Sequence, residues 1–126
     1  MNEIDYLNSV LKLKGYKSIE DYIDKRSNEI LFDEVWLWRT KVGIEEDFPK
    51  LSHNEVIRIL SQIMKQIIEK GGVMVDYSHE EAEKIIRKFD DTKKYELIDE
   101  ISNFILQNPD YGSDGNGIWF EYKSQA

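Results

Sequence analysis

The chain has 126 residues, 40% hydrophobic and 33% charged, and its 25 acidic side chains outnumber 17 basic ones to give a formal net charge of −8. That length suits a single domain, residues 1–126, and the composition belongs to a folded globular chain, not a disordered one. The lack of cysteine excludes disulfides, thiolate catalysis and Cys-based zinc centres, and the acidic balance leaves no surplus to neutralise a phosphate backbone, so no direct nucleic-acid ligand is expected.

In chain order, Ile4, Leu7, Val10 and Leu11 recur at helical spacing and Gly15 follows as a C-cap, which predicts a helix over residues 3–14. Ser18 caps a second short helix whose inner stripe is Ile19, Tyr22 and Ile23. Asp33 is read as the cap of a third segment, EVWLWRTKVG, ending at Gly43. On such a helix Trp36 and Trp38 would stand about 200° apart, so both cannot enter one core pocket. One is then buried and the other half-covered, or one is an exposed aromatic anchor.

The fourth helix carries the strongest signals. Ser52 and Glu55 form a capping box, with Leu51 and Val56 at the staple positions. Val56, Ile57, Leu60, Ile63, Met64, Ile67 and Ile68 make a wide apolar stripe, and Gly71-Gly72 ends it. Val73 to Tyr77 favours a strand. Ser78-His-Glu-Glu81 repeats the capping pattern and opens a fifth helix with Ala82, Ile85, Ile86 and Phe89 inward, broken by Asp90-Asp91-Thr92. A sixth helix runs from about Lys93 to Gln107, stopped by Pro109. After a glycine-rich turn, Ile118 to Tyr122 reads as a strand.

A lone strand cannot satisfy its own backbone, and residues 73–77 are the partner on offer. The expected fold is therefore mainly α, with five to six helices and a small β-element; α+β is the alternative. No apolar run approaches a membrane span. The opening MNEIDYLNSV lacks a basic and an apolar export region, so the expected location is the cytoplasm.

No catalytic constellation accompanies these elements. Asp110, Asp114, Gly115 and Glu121 match four positions of a calcium-binding hand, but Gly112 stands where a side-chain oxygen is needed, so a tight glycine turn is the better reading. His53 and His79 open helices, with no further ligands at metal spacing. No nucleophile elbow, carboxylate pair or phosphate loop is present. The chain is expected to be a non-enzyme with no cofactor and no metal.

What stands out is PDYGSDGNGIWFEY, residues 109–122, where carboxylates flank a run of large aromatics. Strand alternation puts Ile118, Phe120 and Tyr122 on the core face and Trp119 with Glu121 outward. Glu45, Glu46 and Asp47 form a second cluster, read as a loop before Pro49. These features nominate Glu45, Glu46, Asp47, Asp110, Tyr111, Asp114, Trp119 and Glu121 as partner-binding residues facing a basic protein.

In style the chain resembles the small acidic immunity proteins of bacterial polymorphic toxin systems, including the contact-dependent growth inhibition type. It shares with them a short, cysteine-free, acidic, mainly helical build and an aromatic, Gly/Asp-rich segment, here YGSDGNGIWFEY. The resemblance covers the whole chain loosely and no motif tightly, so no residue role carries over. It implies an inhibitor that neutralises a cognate toxin, a basic nuclease, by covering its active site. The alternative is a non-enzymatic adaptor or regulatory module of a cytosolic assembly.

Overall fold

Local capping chemistry sets the helix starts. In the computed structural model, which describes residues 2–76, 80–88, 93–115 and 117–122, Asn2 Oδ1 accepts from the Asp5 amide at 2.8 Å and opens α1, Glu3–Lys14. Gly15 closes that helix in the left-handed region at φ +85°, a conformation that costs glycine little. Ser18 Oγ accepts from the Asp21 amide at 3.1 Å and starts α2, Ile19–Ser27, which tightens into a 3-10 turn over Asn28–Leu31. The capping box forms as expected: Ser52 Oγ accepts from the Glu55 amide, Glu55 Oε1 accepts from the Ser52 amide, and α4 runs His53–Glu69.

The third segment departs from expectation. Val35 and Trp36 form a two-residue strand, β1, and the helix α3 begins only at Leu37 and continues past Gly43 to Asp47. Asp33 does not cap that helix; its Oδ1 accepts from the adjacent Glu34 amide at 2.8 Å. Val and Trp are β-favouring, and pairing with a distant strand decides their conformation over the local helical pattern.

Strand β2, Gly72–Asp76, helix α5, Glu80–Lys88, helix α6, Lys94–Gln107, and strand β3, Ile118–Tyr122, complete the chain. Tyr77, the Ser78 cap, His79, Phe89 and the Asp90-Asp91-Thr92 break lie outside the described residues. The fold is mainly α with a small three-stranded antiparallel sheet. Strand β3 is central, between β1 and β2, with Val35 opposite Phe120, Trp36 opposite Trp119, Met74 opposite Phe120 and Val75 opposite Trp119.

One buried cluster draws residues from every helix and strand. Helix α4 runs through its middle, with Leu60, Ile63 and Met64 fully enclosed and neighbours in α2, α3, α6 and β2. Beyond its end, Lys70 Nζ donates to the Asp24 carbonyl, Ser27 Oγ and Asn28 Oδ1 at 3.0, 2.6 and 2.7 Å, which ties the chain there to α2. Val35, Met74, Ile118 and Phe120 form the core face of the sheet. Trp36, Trp119, Val73, Val75 and Glu121 share the opposite face by register and alternation. Among the described residues no helix is long and apolar enough to cross a membrane.

Candidate functional site

Cross-strand pairing builds the site. Because Trp36 and Trp119 stand opposite each other, their side chains emerge on the same face and stack, with ring centroids 5.5 Å apart and planes 8° from parallel. Stacked aromatic pairs contribute about 0.5–1.5 kcal/mol beyond the area they bury. The pair is half-buried and borders a cleft of about 450 Å³ whose lining includes Glu29, Glu34 and Glu46 together with Arg26 and Arg39.

Asp47 holds Arg26 in this cleft. The Arg26 guanidinium lies alongside Gly43 of α3, where a Cβ would sit at ordinary contact distance, 3.7–3.8 Å. Arg26 Nη2 and the Tyr22 hydroxyl both donate to Asp47 Oδ2, the latter at 2.7 Å, and Lys14 Nζ lies 3.4 Å from the other carboxylate oxygen. Burial works to raise the Asp47 pKa, but the hydrogen bonds from Tyr22 and Arg26 outweigh it and hold the carboxyl below its ordinary value. Burial likewise opposes the Arg26 charge, and its contacts with Tyr22 and Asp47 more than offset that. The Arg26 Nε is buried and donates to nothing among the described residues.

The three carboxylates of the second acidic cluster thus separate. They occupy the last turn of α3, not a loop. Glu45 and Glu46 are exposed, and their ion pairs among the described residues are long, to Lys41 at 3.9 Å and Arg39 at 3.7 Å. Asp47 turns inward and serves the fold. Glu46 and Trp119 reach the cleft; Glu45 does not line it.

The glycine-rich turn takes the expected form directly before β3, away from the tryptophan cleft. Its backbone closes through Ser113 N to Asp110 O at 3.0 Å and Gly115 N to Gly112 O at 3.2 Å. Two tethers fix it to the body. The Lys41 ammonium, with the residue only 4% exposed, donates to the Pro109 carbonyl at 2.9 Å and lies 4.6 Å from the Trp38 ring centroid. The Tyr111 hydroxyl donates to Asp76 Oδ2, a residue 5% exposed, and its ring meets Phe104 edge-on at 4.9 Å. Burial and that carboxylate push the Tyr111 phenol far above its ordinary pKa. Asp110 and Asp114 are exposed, and none of Asp110, Tyr111 and Asp114 lines the tryptophan cleft.

Glu121 lies on the Trp119 face and borders a second concavity, lined also by Glu34 and Tyr122. Trp36 and Trp38 are both half-buried. His53 is half-buried at the start of α4, not exposed. Among the described residues no group of three or more His, Asp or Glu side chains could hold a metal ion.

The sequence pattern missed Trp36 as half of the pair, and Arg26 and Glu29 as its rim. The Trp36 signal was local: Val-Trp, two β-favouring residues, reads as a strand as readily as a helix start. The chain matches no family model, no curated protein and no solved structure.

Proposed function

We propose that this protein is an immunity protein that binds and neutralises a basic toxin, a nuclease domain, by covering its active site. The observation that carries the reading is the stacked Trp36–Trp119 pair, presented on the outward face of the sheet in a cleft lined by three carboxylates, Glu29, Glu34 and Glu46, and two guanidinium groups, Arg26 and Arg39. Tryptophan is among the residues that dominate binding energy at protein interfaces. A carboxylate rim on a chain of net charge −8 favours encounter with a cationic surface, and carboxylates stand in for the phosphates a nuclease is built to hold. The function is steric and electrostatic, without chemistry, in a cytoplasmic setting.

The test is co-purification of the partner from the native host, assay of its nuclease activity with and without this chain, and binding kinetics at two salt concentrations. Reversing Glu45 and Glu46 to Lys is expected to lower the association rate and flatten its salt dependence, since exposed charges act through screened, long-range steering. Asp47 stays unchanged because its carboxylate serves the fold. Trp119→Ala is expected to speed dissociation and cost about 2 kcal/mol or more. A folded Trp119→Ala variant that binds like the parent chain rules out this face as the interface. A partner whose activity is unaffected by binding makes the protein an adaptor.

A further inference from the structure

Beside the tryptophan cleft, and meeting it at Glu34, lies a groove of about 460 Å³ lined by Leu31, Phe32, Asp33, Glu34, Glu121 and Tyr122. Ile30, 1% exposed, also lines it, and three of its apolar residues are open: Phe32 is 86% exposed, Leu31 50% and Tyr122 44%. Single exposed apolar residues are ordinary, but a cluster of them rimmed by polar groups marks a surface that meets another molecule. These side chains also stand on fixed backbone. The amides of Phe32 and Asp33 both donate to the Glu29 carbonyl at 3.0 Å. At the far wall the Tyr122 ring lies against Gly71, where a Cβ would come within 3.2 Å of it.

The charge of the groove is one-sided. Asp33, Glu34 and Glu121 line it, and among the described residues no basic side chain does. The tryptophan cleft, by contrast, contains Arg26 and Arg39. We infer that this groove is a separate docking site for a cationic segment of a protein partner, one that carries an apolar side chain between basic ones. The apolar side chain packs against Phe32, Leu31 and Tyr122, while the flanking cations meet Asp33 and Glu34. This assignment rests on the reading that this side of the molecule faces a basic protein, and it names the element of the partner that is recognised.

The probe is the peptide acetyl-Arg-Leu-Arg-Phe-Arg-amide, titrated into the isotopically labelled full chain and followed by amide shifts. Its counterpart with Glu in place of each Arg is the control. Saturable shifts at residues 31–34 and 121–122 are expected with the cationic peptide alone. Phe32→Ala, which removes a solvent-facing ring and leaves the core intact, is expected to weaken binding about tenfold or more, and Glu34→Lys to weaken it as well. The inference is overturned by any of four results: no shift up to millimolar peptide, equal binding by the acidic peptide, unchanged affinity in Phe32→Ala, or shifts mapping elsewhere. It is also overturned if the parent chain sediments as a dimer that Phe32→Ala dissolves, since the occupant is then a second copy. No toxin enters this assay, so a failed peptide titration leaves the Trp119 kinetics standing. A failed search for a toxin likewise leaves the groove standing.

Discussion

Asp47 shows how one carboxylate can look like surface in a sequence and be structural in the fold. Its neighbours Glu45 and Glu46 are solvated, while Asp47 receives Tyr22, Arg26 and Lys14. The consequence for pH is directional. The folded-state pKa lies below the ordinary 3.8, so the charged form is favoured by folding; the stabilisation is complete above that value and is lost as pH falls through the lower folded one. Denaturant melts at pH 5 and pH 3 are expected to show a steeper loss for the parent chain than for Asp47→Asn. Equal slopes would remove Asp47 from the acid response. The burial of Asp47 was not legible because it depends on α2 lying beside α3, which no local pattern records. The outward orientation of Trp119 was legible, since alternation along a strand needs only the next residues.

Elements with strong local chemistry matched their expected bounds. Gly15 ends α1, the capping box opens α4, and the glycine-rich turn precedes β3 where the composition placed them. Elements decided by distant pairing did not. Strand β1 exists because β3 offers it an edge, and α3 passes through Gly43 because neighbouring packing outweighs the weak helix propensity of one glycine. Within the glycine-rich turn, two residues with similar backbone make opposite demands on space. Gly115 and Gly117 have φ of +92° and +101°, but a Cβ at Gly115 meets open space while one at Gly117 lies 3.1 Å from Gly112 Cα and 3.4 Å from the Tyr111 ring. Gly115→Ala is expected to cost about 1–2 kcal/mol from the left-handed backbone alone. Gly117→Ala should cost more, because it also displaces Tyr111 from Asp76. Urea denaturation with unchanged m-value reads the difference; equal costs would show that the loop relaxes freely around Tyr111.

For the molecule as a whole, the single buried cluster reaching every helix and strand leads to one cooperative unfolding transition, as is usual for chains of this size. Tryptophan fluorescence of a Trp38→Phe variant, which reports the sheet through Trp36 and Trp119, and far-ultraviolet dichroism, which reports the helices, are expected to melt with coincident midpoints. A fluorescence transition that precedes the helical one would mean the sheet opens independently of the bundle. The mainly helical architecture with its small β-element was legible from periodicity and turn chemistry. The central position of β3 was not, because the order of strands in a sheet is a property of the assembled chain.

That central position also sets a timetable. Strand β3 comes after both of its neighbours in the sequence, yet it is the one each of them pairs with. Helices form from near contacts and fold early, whereas pairing across long stretches of chain waits on loop closure. Until residues 118–122 arrive, Val35-Trp36 and Gly72–Asp76 have only open edges, and Trp36 has no ring to stack on. The stacked aromatic pair therefore exists only once residues 118–122 have joined the sheet. Helices can form before that point, whereas the two outer strands stay unpaired until β3 slots between them.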